Sequence, residues 1–464
     1  MSEENAPTRL DRRRFFKYAG GAAIGAGLLS RWAGPTLRPF AAGPVSAAGP
    51  GPDMFLGGTD GWIAMPIGSA AIGTNPILYP DDLAPPGFDT YIFGFRNVTE
   101  LTDAQRIGQK NHAQHSAPLF WVNEYTGSNE FRVDITNLGL AQRPDLFDAH
   151  TLHWHGFRNV IPFFDGEPTG SVSVPAGSRF SYIYRPRDPG TYMYHCHVED
   201  VEHVHMGMNG LVFVRPQQNG QTFTFDGRDF TKFAYNDGDG STGYDREYAM
   251  HLSEIWEDSH WADSHIQLPE WSDYRPDFSL LNGRAYPDTI APNAPLTGDT
   301  TKPYMPVVVD LDGDLTTNAG YEHLKYQPLS SLIRCKEGES VLLRFSNLGF
   351  KEPAMTMAGI TMRVVGRDAT PMRGIGALGA RDLSGADTSY ETNTISVGAG
   401  ESFDVIFKAP AYVGPDAYDT YMLYNRDYTR DGNTSDYGGQ TTEVHVYPGP
   451  TPANILPDQT IPNT

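Results

Sequence analysis

The chain has 464 residues, a formal charge of −21, 49 glycines, 36 prolines and 12% aromatic residues. That length supports two or three domains, and short Val/Ile/Tyr/Phe runs between turn clusters point to β-sandwiches and away from helical bundles. Acidic residues are spread along the chain with no basic face for a phosphate backbone, so no nucleic-acid partner is expected.

In chain order, residues 1–48 read as a twin-arginine signal peptide. Arg12-Arg13-Arg14-Phe15-Phe16-Lys17 precedes an apolar stretch too short and too rich in Gly and Ala for a good membrane span. The expectation is export of a folded, cofactor-bearing protein to a periplasmic, extracellular or cell-surface location, with no integral membrane segment once processed. Residues 49–87 read as an irregular extension without a site. Residues 88–218 form a first Greek-key sandwich, with strands expected at 91–98, 118–123, 130–137, 180–184, 190–195 and 210–214. The turn Gly127-Ser128-Asn129 is expected to join the second and third of these as a hairpin.

Residues 219–245 read as a linker, 246–450 as a second strand-rich domain and 451–464 as a tail. The second domain repeats the grammar of the first. Residues 340–346 before Asn347-Leu348-Gly349 echo residues 131–136 before Asn137-Leu138-Gly139, and residues 419–424 echo 190–195, which indicates internal duplication.

Chemistry concentrates in two histidine-rich segments of the first domain. One is His150-Thr-Leu-His153-Trp-His155-Gly156. The other is His195-Cys196-His197, followed by His203-Val-His205-Met206-Gly-Met208. A thiolate, two imidazoles and a distant thioether suit both oxidation states of copper in nearly one geometry. His150, Cys196, His203 and Met208 supply that set, with His205 as the rival to His203. His153/His155 and His195/His197 are two H-x-H pairs, and on a strand positions i and i+2 share a face, so each pair can grip a metal from one side.

These motifs, above all the H-x-x-x-G-M step from His203 to Met208, resemble the multicopper oxidases of the cupredoxin superfamily, with a layout also similar to the copper nitrite reductases. The resemblance implies an all-β protein of two cupredoxin-like Greek-key sandwiches with copper as cofactor. It implies type 1 copper on His150, Cys196, His203 and Met208, and type 2 or type 3 copper on His153, His155, His195 and His197. The segment Phe164-Asp165-Gly166-Glu167-Pro168 is similar to the family's D-G-x-P stretch, which makes Asp165 either a proton donor or simply a turn residue.

The second domain departs from the family pattern. Met355 and Met357 stand where the first H-x-H pair would be, and Asn425-Arg426-Asp427 stand against His195-Cys196-His197. The methionines read as core more readily than as a soft copper site, and Cys335 as a packed thiol. His112 and His115, or His251, His260 and His265, are the remaining histidines that could close a cluster across a subunit interface. Exposure in solvent explains His112 and His115 equally.

The first expectation is an oxidoreductase that takes single electrons at the type 1 copper and passes them to a histidine-held centre reducing oxygen. The alternatives are a nitrite-reductase-like enzyme with type 1 and type 2 copper, or a non-enzymatic copper electron-transfer protein. A small-molecule or protein electron donor and a homo-oligomer, a trimer in the nitrite reductase layout, are the expected partners.

Overall fold

In a computed structural model, the structure describes residues 51–66, 78–158, 160–374, 385–427 and 438–464. Contacts separate residues 1–51 from 52–464, and the fold below is that of the latter. The expected signal peptide lies outside the described residues.

The first sandwich is built from β1 (Met54–Ile63), β2 (Thr90–Asn97), β3 (Phe120–Asn123), β4 (Phe131–Gly139), β5 (His153–His155), β6 (Arg179–Tyr184), β7 (Gly190–His195) and β8 (Asn209–Arg215). One sheet has the order β2-β1-β4-β6 and the other β3-β8-β7-β5. Their inner faces enclose a core that includes Phe120, Phe131, Val133, Trp154, Tyr184 and Tyr194. Two short helices matter here: α1 (Asp103–Gly108) and, between β7 and β8, α2 (Asp200–His205).

Two expectations are corrected in this half. Residues 54–63 are a central strand, not part of an irregular extension: β1 runs parallel to β4 and antiparallel to β2. Its glycines hid it, and they are there because neighbours come too close for side chains. A Cβ on Gly61 would lie 2.8 Å from the Ala113 nitrogen. Nor are residues 118–123 and 130–137 a hairpin. β3 pairs with β8 and β4 with β1 and β6, so the turn between them crosses from one sheet to the other. Both strands turn apolar residues to the same core, where Phe120 and Phe131 stack at 5.7 Å.

The expected linker contains a small hairpin, β9 (Phe223–Phe225) with β10 (Arg228–Phe230), and buries Phe233 and Tyr235. The second sandwich comprises β11 (Arg246–Ile255), β12 (Phe278–Leu281), β13 (Ile333–Lys336), β14 (Ser340–Asn347), β15 (Ala354–Met357), β16 (Met362–Arg367), β17 (Thr370–Pro371), β18 (Tyr390–Thr392), β19 (Thr394–Ser396), β20 (Ser402–Lys408), β21 (Asp419–Asn425) and β22 (Thr441–Tyr447). Its sheets have the orders β12-β11-β14-β20-β16-β17 and β13-β22-β21-β15-β19. The kernel β12-β11-β14-β20 matches β2-β1-β4-β6, and β13-β22-β21-β15 matches β3-β8-β7-β5, including the parallel pairs β11/β14 and β13/β22. Duplication is thus written in the topology. The expected tail also packs: Leu456 and Ile461 are buried, and the Asn463 side chain accepts from the Ala249 N–H at 2.8 Å.

The two sandwiches meet along β7. Thr191 donates to Asp404 at 2.6 Å, Ser402 donates to the Thr191 carbonyl at 2.7 Å, and the wholly buried Arg344 bridges Asp404 and Glu247. A buried ion network fixes register between surfaces more than it adds stability. Its effect here is to hold the strand that ends in His195.

Candidate metal centre

The first group of ligand atoms comes from three segments. His150 exchanges both backbone hydrogen bonds with Val174 (2.9 and 2.8 Å), which seats it on the inner face of the sandwich. Cys196 follows β7 directly, and its N–H donates to the Met208 carbonyl at 3.1 Å; Met208 N–H in turn donates to the His203 carbonyl at 2.9 Å. The loop thereby closes on itself, with Glu199 in the left-handed region (φ 47°) turning the chain into α2. One nitrogen each of His150 and His203 and the Cys196 sulfur lie within 4.8 Å of one another, and all three residues are buried. The Cys196 Sγ to His203 Nδ1 distance is 3.3 Å.

Met208 is fully buried on the same spot, because a Cβ placed on Gly58 would lie 2.7 Å from His150 Cδ2 and 3.4 Å from Met208 Cε. Both nitrogens of His150 and Nε2 of His203 are buried without a hydrogen-bond partner. Buried imidazoles are rarely left unsatisfied. A thiolate, two free imidazole nitrogens and a thioether therefore fit copper. Burial works to raise the Cys196 thiol, but the facing His203 and His150 outweigh it and hold it well below its ordinary value.

His205, the rival ligand, is not at this site. Residues two apart on a helix point to different sides, and His205 faces the second domain. Its Nε2 accepts the Trp256 N–H at 3.1 Å, and its ring lies 5.1–5.6 Å from those of His260, Trp271, Tyr274 and Phe350. His115, expected in solvent, is likewise buried in this seam beside Ser253, and His251 bridges Asn209 (2.6 Å) and Ser346 (2.8 Å). His112 is half-buried, stacked on Tyr326 and 3.5 Å from Asp314. His265 pairs with Asp82 at 2.9 Å.

The second group is set by strand register. β5 pairs antiparallel with β7 so that His153 stands directly opposite His195. One nitrogen each of His153, His155 and His195 lie within 4.8 Å of one another, and the His155 Nδ1 to His195 Nε2 distance is 3.4 Å. His197 stands at the edge, its ring 5.0 Å from that of His153. A carbonyl can only accept, so two tautomers are fixed. His153 Nδ1–H donates to the Asp165 carbonyl at 2.7 Å, and His195 Nδ1–H to the Cys196 carbonyl at 2.8 Å, leaving Nε2 of each as a lone pair, that of His195 facing His155 Nδ1. Burial pushes His195 down to about 3 and lowers His153 and His155, so all three are neutral at pH 7.

Asp165 thus touches the cluster through its backbone first; its carboxylate is 3.5 Å from the same His153 nitrogen. The turn that aims this carbonyl needs Gly166, with φ +78° and only 2.3 Å between a would-be Cβ and the Leu152 oxygen.

Among the described residues, the companion domain brings backbone, not ligands, to this edge. A Cβ on Gly400 would be 3.0 Å from His155 Nε2. At the matching register of β15 and β21, Thr356 faces Tyr424; Met355 and Met357, expected at the positions of the first H-x-H pair, lie one residue off and turn into the core, and Cys335 is a buried free thiol. Sequence reasoning missed three participants: Gly58, Gly400 and Asp148, whose carboxylate lies 3.5 Å from His203 Nε2.

A family model described as multicopper oxidase matches residues 133–219, the stretch that holds both groups. Laccase-like multicopper oxidase 1 of Thermothelomyces thermophilus is 42% identical over 52 residues, 10% of this chain and 8% of that protein, so the chain spans only a small part of the length of this curated relative. The fold is similar to that of the blue copper oxidase from Nitrosomonas europaea, at 20% identity, TM-score 0.51 and coverage of 84% of this chain and 85% of that one. It is equally similar to the multicopper oxidase mgLAC, at 20% identity, TM-score 0.51 and 86% of each chain. Residues 133–219 thus match the multicopper oxidase family model, and the two β-sandwiches that carry them have a fold similar to that of the blue copper oxidase and mgLAC.

Proposed function

We propose that the protein is a copper-dependent oxidase that accepts single electrons at a type 1 copper and delivers them to a second, histidine-held copper centre where oxygen is reduced. The observation that carries this reading is the position of Cys196. Its sulfur sits among the first group of ligands, while its chain neighbours His195 and His197 belong to the second. His150, Cys196, His203 and Met208 would hold the type 1 copper. His153, His155, His195 and His197 would hold the other centre. Copper supplies one-electron redox chemistry; the chain's own residues do the rest. The burial of His150 and His203 excludes water from the thiolate. The short backbone path from Cys196 to either flanking histidine gives electrons a covalent route. The Asp165 carboxylate, one-third exposed and beside His153, can carry protons from solvent to the reduction site.

The full-length, copper-loaded protein tests this reading. It should hold more than one copper per chain, show an intense blue thiolate band, and consume oxygen with a one-electron donor. One copper per chain with the blue band alone would leave only an electron carrier. Two coppers with turnover of nitrite and none of oxygen would make it a nitrite reductase.

Export by the twin-arginine route and assembly into a homo-oligomer belong to the same reading. Among the described residues no helix is long and apolar enough to cross a membrane. A neighbouring copy in a trimer would close the open side of the four histidines, and a small molecule or a redox protein would supply electrons. Cleavage of the first 48 residues during secretion and the native mass of the copper-loaded protein test both points.

A further inference from the structure

We infer that Asp148 is a positioning residue for the type 1 copper: its carboxylate accepts the Nε2–H of His203, fixes which nitrogen of that ring faces the metal, and lowers the reduction potential of the site. The inference rests on the type 1 reading above.

The His203 ring has two ends. Nδ1 lies 3.3 Å from the Cys196 sulfur, on the metal side. Nε2 points the other way, wholly buried and with no hydrogen-bond partner closer than the Asp148 Oδ2 at 3.5 Å. That oxygen is itself buried and otherwise unpaired. A buried donor and a buried acceptor, each lacking another partner and facing one another, satisfy each other only if Nε2 carries the ring proton. Nδ1 is then the lone pair left for copper. His150 differs, for neither of its nitrogens meets a carboxylate or any other partner. The negative charge therefore acts on one imidazole of the pair. A carboxylate on the outer N–H makes an imidazole a stronger donor, and a stronger donor favours Cu(II) over Cu(I).

Duplication shows that this contact is built, not incidental. In the first domain the Asn137 side chain donates to the Val174 carbonyl, opposite His150, and to the Asp148 carbonyl eleven residues further on. In the second domain Asn347 makes the same pair of bonds, to Val397 and to Lys351, which lies only four residues further on. The copper-bearing domain thus has the longer loop, and it ends on an acid where the copper-free domain has a base. The loop is held at both sides: Asp60 accepts the Ala141 and Gln142 N–H groups at 2.7 and 2.8 Å, and Arg143 pairs with Asp263 of the second domain at 2.5 Å.

The test compares wild type, Asp148→Ala, Asp148→Asn and Glu199→Gln as full-length, copper-loaded proteins. Glu199 offers a carboxylate within 4.8 Å of a His203 nitrogen and of Asp148 but makes no hydrogen bond to the ring, so it reports charge alone. Blue absorption shows that the site is formed. Titration against the hexacyanoferrate couple reads the potential, and proton NMR of the diamagnetic Cu(I) form reads the His203 Nε2–H. Potential should rise most in Asp148→Ala, less in Asp148→Asn, which keeps an acceptor without the charge, and least in Glu199→Gln, which removes a charge but no ring hydrogen bond. A slowly exchanging Nε2–H should be present in wild type and lost in Asp148→Ala. An unchanged potential in a blue Asp148→Ala protein, or an equal rise in Glu199→Gln, overturns the inference. If Asp148→Ala fails to fold, Asp148→Asn decides by the same potential. A wild type that binds no blue copper overturns the type 1 reading first.

Discussion

The two sandwiches share strand order and register, yet they fill one equivalent position in opposite ways. In the first, His153 faces His195 across β5 and β7, each with one nitrogen tied to a carbonyl and the other left as a lone pair. In the second, Thr356 faces Tyr424 across β15 and β21. Thr356 shares a hydroxyl hydrogen bond with Thr394 at 2.8 Å, and Asn425, at the position of Cys196, spends its side chain on local hydrogen bonds: it accepts from Ala354 N–H at 3.1 Å and donates to Gln440 at 2.9 Å. A ligand site must leave polar atoms unsatisfied, whereas a structural site must not. The unsatisfied atoms of His150 and His203 in the first domain mark where the proposed metal would contribute to the structure. In the second, packing and amide bonds have taken over that role.

The largest expected effect separates the two groups within the first domain. Cys196→Ser should abolish the blue band while copper held by His153, His155 and His195 remains, as read by the absorption spectrum and copper count. Simultaneous loss of all copper would mean the groups are one site.

Acid should act strongly on the seam between the domains. Burial holds His115 at about 3, His251 at about 3 and His260 at about 4. Unfolded, the same rings take protons below about 6.5. The unfolded chain then binds more protons than the folded one, so stability should fall as pH drops from about 6.5 to about 4 and be insensitive to these rings above that range. Denaturant melts of copper-free protein, followed by the fluorescence of Trp256 and Trp271 beside the seam, check this. Flat stability across that window would contradict it.

Two substitutions sharpen the contrast further. Met355→Ala should cost about 2–5 kcal/mol of stability, as deletion of a buried side chain does, with no change in copper content. His153→Ala, on the face of β5 turned away from the core, should do the reverse, releasing copper with little effect on the copper-free fold. Gly58→Val forces a side chain against His150 and Met208, and should cost about 1–3 kcal/mol and weaken type 1 copper; a melt and a copper titration read both.

The sequence alone carried the proposed copper chemistry, because ligands that converge on one ion come from a few short segments with tight spacing. One cysteine bracketed by histidines, a five-residue step from His203 to Met208 and two H-x-H pairs suffice without knowledge of the fold. The sequence also carried the duplication, since Asn137-Leu138-Gly139 and Asn347-Leu348-Gly349 make the same side-chain turn. Tertiary structure alone decided the rest. The glycines of β1 read as a loop until the side chains of His150 and Met208 are seen to occupy the space beside Gly58. The choice between His203 and His205 depended on which side of α2 faces the second domain. The contact between Asp148 and His203 joins residues far apart in the chain through a loop held by another domain. Strand and motif spacing are local properties and can be read from a string of letters. The neighbour a side chain meets across the interior is set by packing, and no local pattern records it.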